Sequence, residues 1–120
     1  MAKLLSREAI LNVSDIQTKL VHVPEWGGDV MVRGLSGKER DAYEQSIIST
    51  KGQDVKMNLV NAKAKLVGLS IIDESGARLF SDADVEALGA KSGKAINRVY
   101  AVAAKLSGLS DEDMKELTGN

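Results

Sequence analysis

Two short stretches between Gln17 and Arg33 alternate in a way that suits a strand. Val21 and Val23 flank His22, and Val30 and Val32 flank Met31. A period of two places alternate side chains on the same face of a strand. The stretches Gln17 to Val23 and Asp29 to Arg33 are therefore predicted to be strands. Between them lies Pro24-Glu-Trp-Gly-Gly28. Proline and paired glycines are turn residues, because glycine reaches positive φ without strain. The pattern predicts a hairpin with an irregular tip. Ahead of it, Ser6-Arg-Glu-Ala-Ile10-Leu11 reads as a capped helical turn, with Leu5, Ala9 and Ile10 on its apolar side. Ser14-Asp15 ends that turn or begins a link.

Downstream the period changes to that of helices. Ser36 followed by Glu39 has the spacing of a capping box, and a helix is expected from there to about Ser49, with Tyr43, Ile47 and Ile48 facing inward. Thr50 to Asp54 reads as a polar loop. From about Lys56 to Ile71 the chain carries two apolar rows, Leu59, Ala62, Leu66 and Leu69 beside Val60, Ala64, Val67 and Ile71. An arc that wide exceeds what a surface helix needs and predicts the central helix of the fold. Asp73-Glu-Ser-Gly76 reads as a turn, flanked by residues that allow a small second hairpin. Ser81 is expected to cap a short helix from Asp82 to Leu88, with Phe80 and Val85 at the spacing of a hydrophobic staple and Gly89 as its stop. Ile96, Val99, Ala103 and Leu106 define a helix from Ser92 to Leu106, with Gly108 as its C-terminal cap. Leu109 to about Leu117 repeats the cap-and-staple pattern. The sum is a single α+β domain over 1–120, mainly helical, with an N-terminal β-hairpin.

Composition sharpens this picture at three points. The chain has one Trp, one Phe and two Tyr, so its core must be aliphatic. It has no cysteine, which removes disulfides, thiolate nucleophiles and cysteine-based zinc sites. Sixteen basic and 17 acidic residues give a formal net charge of −1, without the basic excess from which nucleic-acid binders gain affinity. No run has the length of a signal peptide core or a membrane span. The expectation is a protein that binds neither nucleic acid nor membrane.

Candidate chemistry is sparse. His22 is the sole histidine, inside a predicted strand, with no nucleophile at a telling spacing. Gly34-Leu-Ser-Gly37-Lys38 lacks the spacing of a phosphate loop, and Glu39 stands where that loop needs Ser or Thr. Asp73, Glu74, Asp82, Asp84 and Glu86 lack calcium-loop spacing; carboxylates in a first helical turn serve the helix dipole instead. No catalytic, cofactor-binding or metal-ligating residue is therefore expected, and no enzyme activity. Two residues stand out as candidate partner contacts. Trp26, at the hairpin tip, has two readings: a ring folded back to seal the core edge, or an exposed anchor of the kind enriched at binding hot spots. Lys63 falls between the two apolar rows of the central helix, with Ser70 nearby. Its ammonium either snorkels to water or meets an acidic group on another chain.

The run Val23-Pro-Glu-Trp-Gly-Gly-Asp-Val30, then Val32-Arg-Gly-Leu-Ser-Gly-Lys-Glu-Arg-Asp-Ala-Tyr43, resembles the N-terminal half of siphophage tail assembly chaperones. So do Ala64-Lys-Leu-Val-Gly-Leu69, Asp73-Glu-Ser-Gly76, Leu79-Phe-Ser-Asp-Ala-Asp-Val-Glu-Ala-Leu88 and Leu106-Ser-Gly-Leu-Ser-Asp-Glu-Asp113. The specificity lies in the order and spacing of the series, since no single element is a chemical signature. The resemblance implies a chaperone that acts in the host bacterial cytoplasm during tail morphogenesis. Such a protein binds the tape measure protein, keeps it soluble and helps recruit tail tube subunits, the last through a longer frameshifted form. This chain looks like the shorter product. Many copies coating one long partner imply weak self-association. A different reading is a structural head–tail connector or tail terminator retained in the virion.

Overall fold

A computed structural model describes residues 3–51, 54–57 and 61–109. Its elements, in chain order, begin with helix α1 (Arg7–Asn12), strand β1 (Thr18–Val23), a 3-10 turn (Pro24–Trp26) and strand β2 (Gly28–Arg33). Helix α2 (Gly37–Ile47), strands β3 (Ile48–Lys51) and β4 (Asp54–Met57), helix α3 (Ala62–Ser70) and strand β5 (Ile71–Ile72) follow. A second 3-10 turn (Asp82–Asp84) leads into helices α4 (Val85–Gly89) and α5 (Gly93–Leu106). The architecture is α+β and mainly helical, with the hairpin near its N-terminal end, as the sequence pattern predicts.

The hairpin pairs antiparallel with Val21 opposite Val30 and Leu20 opposite Met31. Gly27, at φ +73, closes the 3-10 tip in a conformation that favours glycine. β5 adds to the other side of β2, so the sheet order is β1-β2-β5. One sheet face carries Val21, Val23 and Val32, all buried. They meet Leu66 and Val67 of α3 and Val99 and Ala103 of α5 in one aliphatic cluster. Every described member of the two apolar rows is buried or partly buried, so this helix is central and these members are consumed by the core.

Capping follows the sequence closely. The Ser36 hydroxyl accepts from the Glu39 N–H at 3.2 Å, and the Glu39 carboxylate accepts from the Ser36 N–H at 3.0 Å. Ser6 caps α1 through Ala9, Ser92 caps α5 through Ala95, and Ser81 forms a capping box with Asp84. At the end of α5, Gly108 stands at φ +72. The Leu109 N–H reaches the Ala104 carbonyl at 2.7 Å and the Gly108 N–H reaches that of Lys105 at 3.3 Å, the two bonds of a Schellman cap. The turn at Asp73 also forms, with a single bridge between Ile72 and Arg78.

Three expectations need correction. The helix expected to reach about Ser49 ends at Ile47, and Ile48 and Ser49 belong to β3. Thr50 to Asp54 is not simply a polar loop, because Thr50 and Lys51 end β3 and Asp54 begins β4 of a second hairpin. Ile48, Thr50 and Val55 are β-branched, a residue type enriched in strands. The central helix does not start near Lys56. Asn61 sits at φ +59, a left-handed backbone incompatible with a helix interior, and α3 begins immediately after it. Leu59 and Val60, and the expected last helix beyond Leu109, lie outside the described residues.

Candidate partner-binding surface

The tip of the first hairpin is tied to α5 by a charged clasp. Arg98 Nε donates to Glu25 Oε1 at 2.9 Å, and its terminal nitrogen donates to Oε2 at 3.1 Å. The Arg98 hydrogen bonds hold the Glu25 carboxyl below its usual range. This clasp sets the position of Trp26, which is half-buried and packs against the aliphatic core. The ring also lines an open cleft of about 570 Å³ with Leu79, Phe80, Ala87, Leu88 and Lys91. It thus serves the core on one side and faces a cleft on the other.

Lys63 extends from the exposed side of α3. Its ammonium donates to Asn97 Oδ1 at 3.0 Å and lies 5.2 Å from the centroid of the Tyr100 ring, a cation–π distance. Lys63 borders a second cleft, of about 450 Å³, walled by Tyr43, Ile47, Ala62, Ile96 and Tyr100. The base of this cleft is fixed by Tyr43, whose buried hydroxyl donates to the Ala62 carbonyl at 3.0 Å. Burial pushes that phenol up to about 12.

Lys91 lines both clefts. The structure therefore places Trp26 and Lys63 in separate but adjoining hollows, joined at a lysine the sequence analysis did not single out. The result is two mainly apolar depressions with Lys91 between them, Lys63 beside one and the Asp84 carboxylate on the wall of the other. Nothing in the local sequence marks Lys91 or the Glu25–Arg98 pair, because their partners are far away in the chain. The signal available was indirect: Tyr43 and Ile96 already sat on predicted inward helix faces.

The remaining polar candidates have local structural work. His22 Nδ1 is 2.7 Å from Asp29 Oδ1 on the exposed sheet face. The Asp73 carboxylate accepts from the N–H groups of Ser75 and Ala77, and these bonds, led by that of the Ser75 hydroxyl, lower its pKa. Asp82 pairs with Arg78 at 3.2 Å. Among the described residues no group of His, Cys, Asp and Glu has metal-site geometry, and no helix is long and apolar enough to cross a membrane.

A family model described as phage tail assembly chaperone matches residues 5–118. Among solved structures, the chain is similar to the tail assembly chaperone of bacteriophage HK97. The two share 23% identity at a TM-score of 0.57, over 76% of this chain and 85% of that one. At that identity the likeness is one of fold. No curated protein sequence matches the chain.

Proposed function

Because the chain belongs to the phage tail assembly chaperone family, we propose that it binds the tape measure protein of a long-tailed phage during tail morphogenesis. In this reading it keeps that protein soluble in the host bacterial cytoplasm and helps recruit tail tube subunits around it, the latter through a longer frameshifted form. It acts by binding alone, as one domain over 1–120, associates weakly with itself, and engages neither nucleic acid nor membrane.

The observation that carries the binding mode is the pair of adjoining clefts. An amphipathic helix laid across a groove buries apolar side chains at successive turns. Here Trp26 would take one such contact and the hollow beside Lys63 another. Lys63 and Lys91 favour a helix whose apolar stripe is flanked by carboxylates.

Co-expression with the tape measure protein tests this directly. Lys63 is exposed, so Lys63→Glu is expected to leave the fold intact. It should weaken binding by on the order of 1 kcal/mol, the scale of a rim charge pair, and lower the yield of soluble tape measure. A folded variant that rescues solubility as well as the wild type would remove Lys63 from the binding surface. Tape measure that stays equally soluble without the chaperone would remove the function itself.

A further inference from the structure

The two adjoining hollows differ in charge. The charged residues on the walls of the one beside Lys63 are Lys63 and Lys91, both basic. Those on the walls of the Trp26 hollow are Asp84 and Lys91, one of each sign. Lys91 belongs to both, so the difference comes from Lys63 on one side and Asp84 on the other.

The described partners of these two charges are uncharged. Lys63 is held by the side-chain oxygen of Asn97 and lies near the Tyr100 ring. The Asp84 carboxylate accepts from the Ser81 N–H at 2.8 Å and from the Ser81 hydroxyl at 3.1 Å. Such contacts fix where each charge stands without cancelling it. Nearby charges are different in kind: Glu25 and Arg98 close on each other beside Trp26, and Asp82 pairs with Arg78. An amphipathic helix lying across both hollows therefore meets lysines at one end and a carboxylate at the other.

We infer that this surface selects the direction of its partner. It takes a helix whose charge changes sign along its length, with the acidic end over the Lys63 hollow and a Lys or Arg over Asp84 in the Trp26 hollow. The reversed pose sets like charges against each other at both ends, a repulsive element that rejects it. The apolar stripe supplies contact in either direction, so the charges alone decide between the two. A chain that binds this way sits on a long helical partner in one orientation only. The inference rests on the helix binding proposed above and adds to it which end of the helix goes where.

The experiment titrates the full chain with synthetic amphipathic helices and follows the emission of its single tryptophan, Trp26. Each peptide has one leucine stripe, Glu in one half and Lys in the other, and a nitroxide quencher at its N-terminus. In one peptide the Lys half is N-terminal, and in its counterpart the Glu half is. At saturation the peptide labelled on its Lys half should quench Trp26 about fivefold more than its counterpart, the population ratio that one exposed ion pair supplies. Lys63→Glu should shrink that ratio toward one. So should Asp84→Asn, which keeps an acceptor oxygen for Ser81, and circular dichroism checks each fold. Equal quenching by the two peptides in the wild type would overturn the inference, as would a preference that both variants retain. Peptides that leave Trp26 unquenched would overturn it too; if the protein still holds tape measure in solution on co-expression, the proposed function stands without this rule of direction.

Discussion

Gly34 shows how a single position can be set by a distant backbone. A Cβ built there would lie 2.6 Å from the Leu106 carbonyl oxygen. That approach lets the start of α2 pack on the end of α5, where the Leu35 N–H donates to the buried Ser107 hydroxyl at 2.9 Å. Gly34→Ala is expected to destabilise the fold by about 1–3 kcal/mol, the range for overpacking, as read by urea unfolding. Glu39 is the other residue with an outsized role. It caps α2 and also receives both arms of Arg33, at 2.7 and 2.6 Å, while Arg33 donates onward to the Leu69 carbonyl. Chiefly through Arg33, its carboxyl is lowered from 4.5 to about 2. A depressed carboxyl adds stability that is complete above its unfolded pKa and lost as pH falls through the folded one. Wild type should therefore weaken between about pH 4.5 and 2. Glu39→Gln should cost roughly 1–2 kcal/mol at neutral pH, discounted because the pair is partly solvated. It should also flatten that acid limb in urea unfolding followed across the same window.

At the scale of elements, local signals and tertiary constraints divide clearly. The helix starts at Ser6, Ser36, Ser81 and Ser92 were legible because a hydroxyl cap needs only its own next three residues. The hairpin Thr18–Arg33 was legible from its alternation and turn residues. How the hairpin is fastened was not, since Glu25 and Arg98 are 73 residues apart. That clasp leads to a further prediction. Arg98→Ala should free the tip from α5 and shift the emission of the single tryptophan, Trp26, to the red without loss of helical signal in circular dichroism. An unchanged emission maximum would mean that apolar contacts alone hold the ring. The same fluorophore reports binding, because a partner that fills its cleft should move the emission to the blue.

On the scale of the whole molecule, one aliphatic core joins the hairpin to α3 and α5, while the arm around α1 stays outside it. On the function proposed above, coating a partner and then yielding to tube subunits needs contacts weaker than those of a permanent shell. Open clefts and exposed arm residues suit such reversible contacts. The protein should accordingly be absent from finished virions, and mass spectrometry of purified particles checks this. Stoichiometric recovery from the particle would favour a structural connector or tail terminator.

The sequence by itself determined the α+β class, the first hairpin, the capped helix starts and an aliphatic core, because each depends on neighbours within a few positions or on residue type alone. It also carried the family series and pointed to Trp26 and Lys63. Only the tertiary structure decided where α3 begins, since the left-handed Asn61 breaks a pattern that periodicity would continue. It alone decided that the described members of the two apolar rows are spent on the core, and that Trp26 and Lys63 border adjoining clefts bridged by Lys91. Burial and juxtaposition arise from elements remote in the chain, and a linear pattern records only which face is apolar, not what covers it.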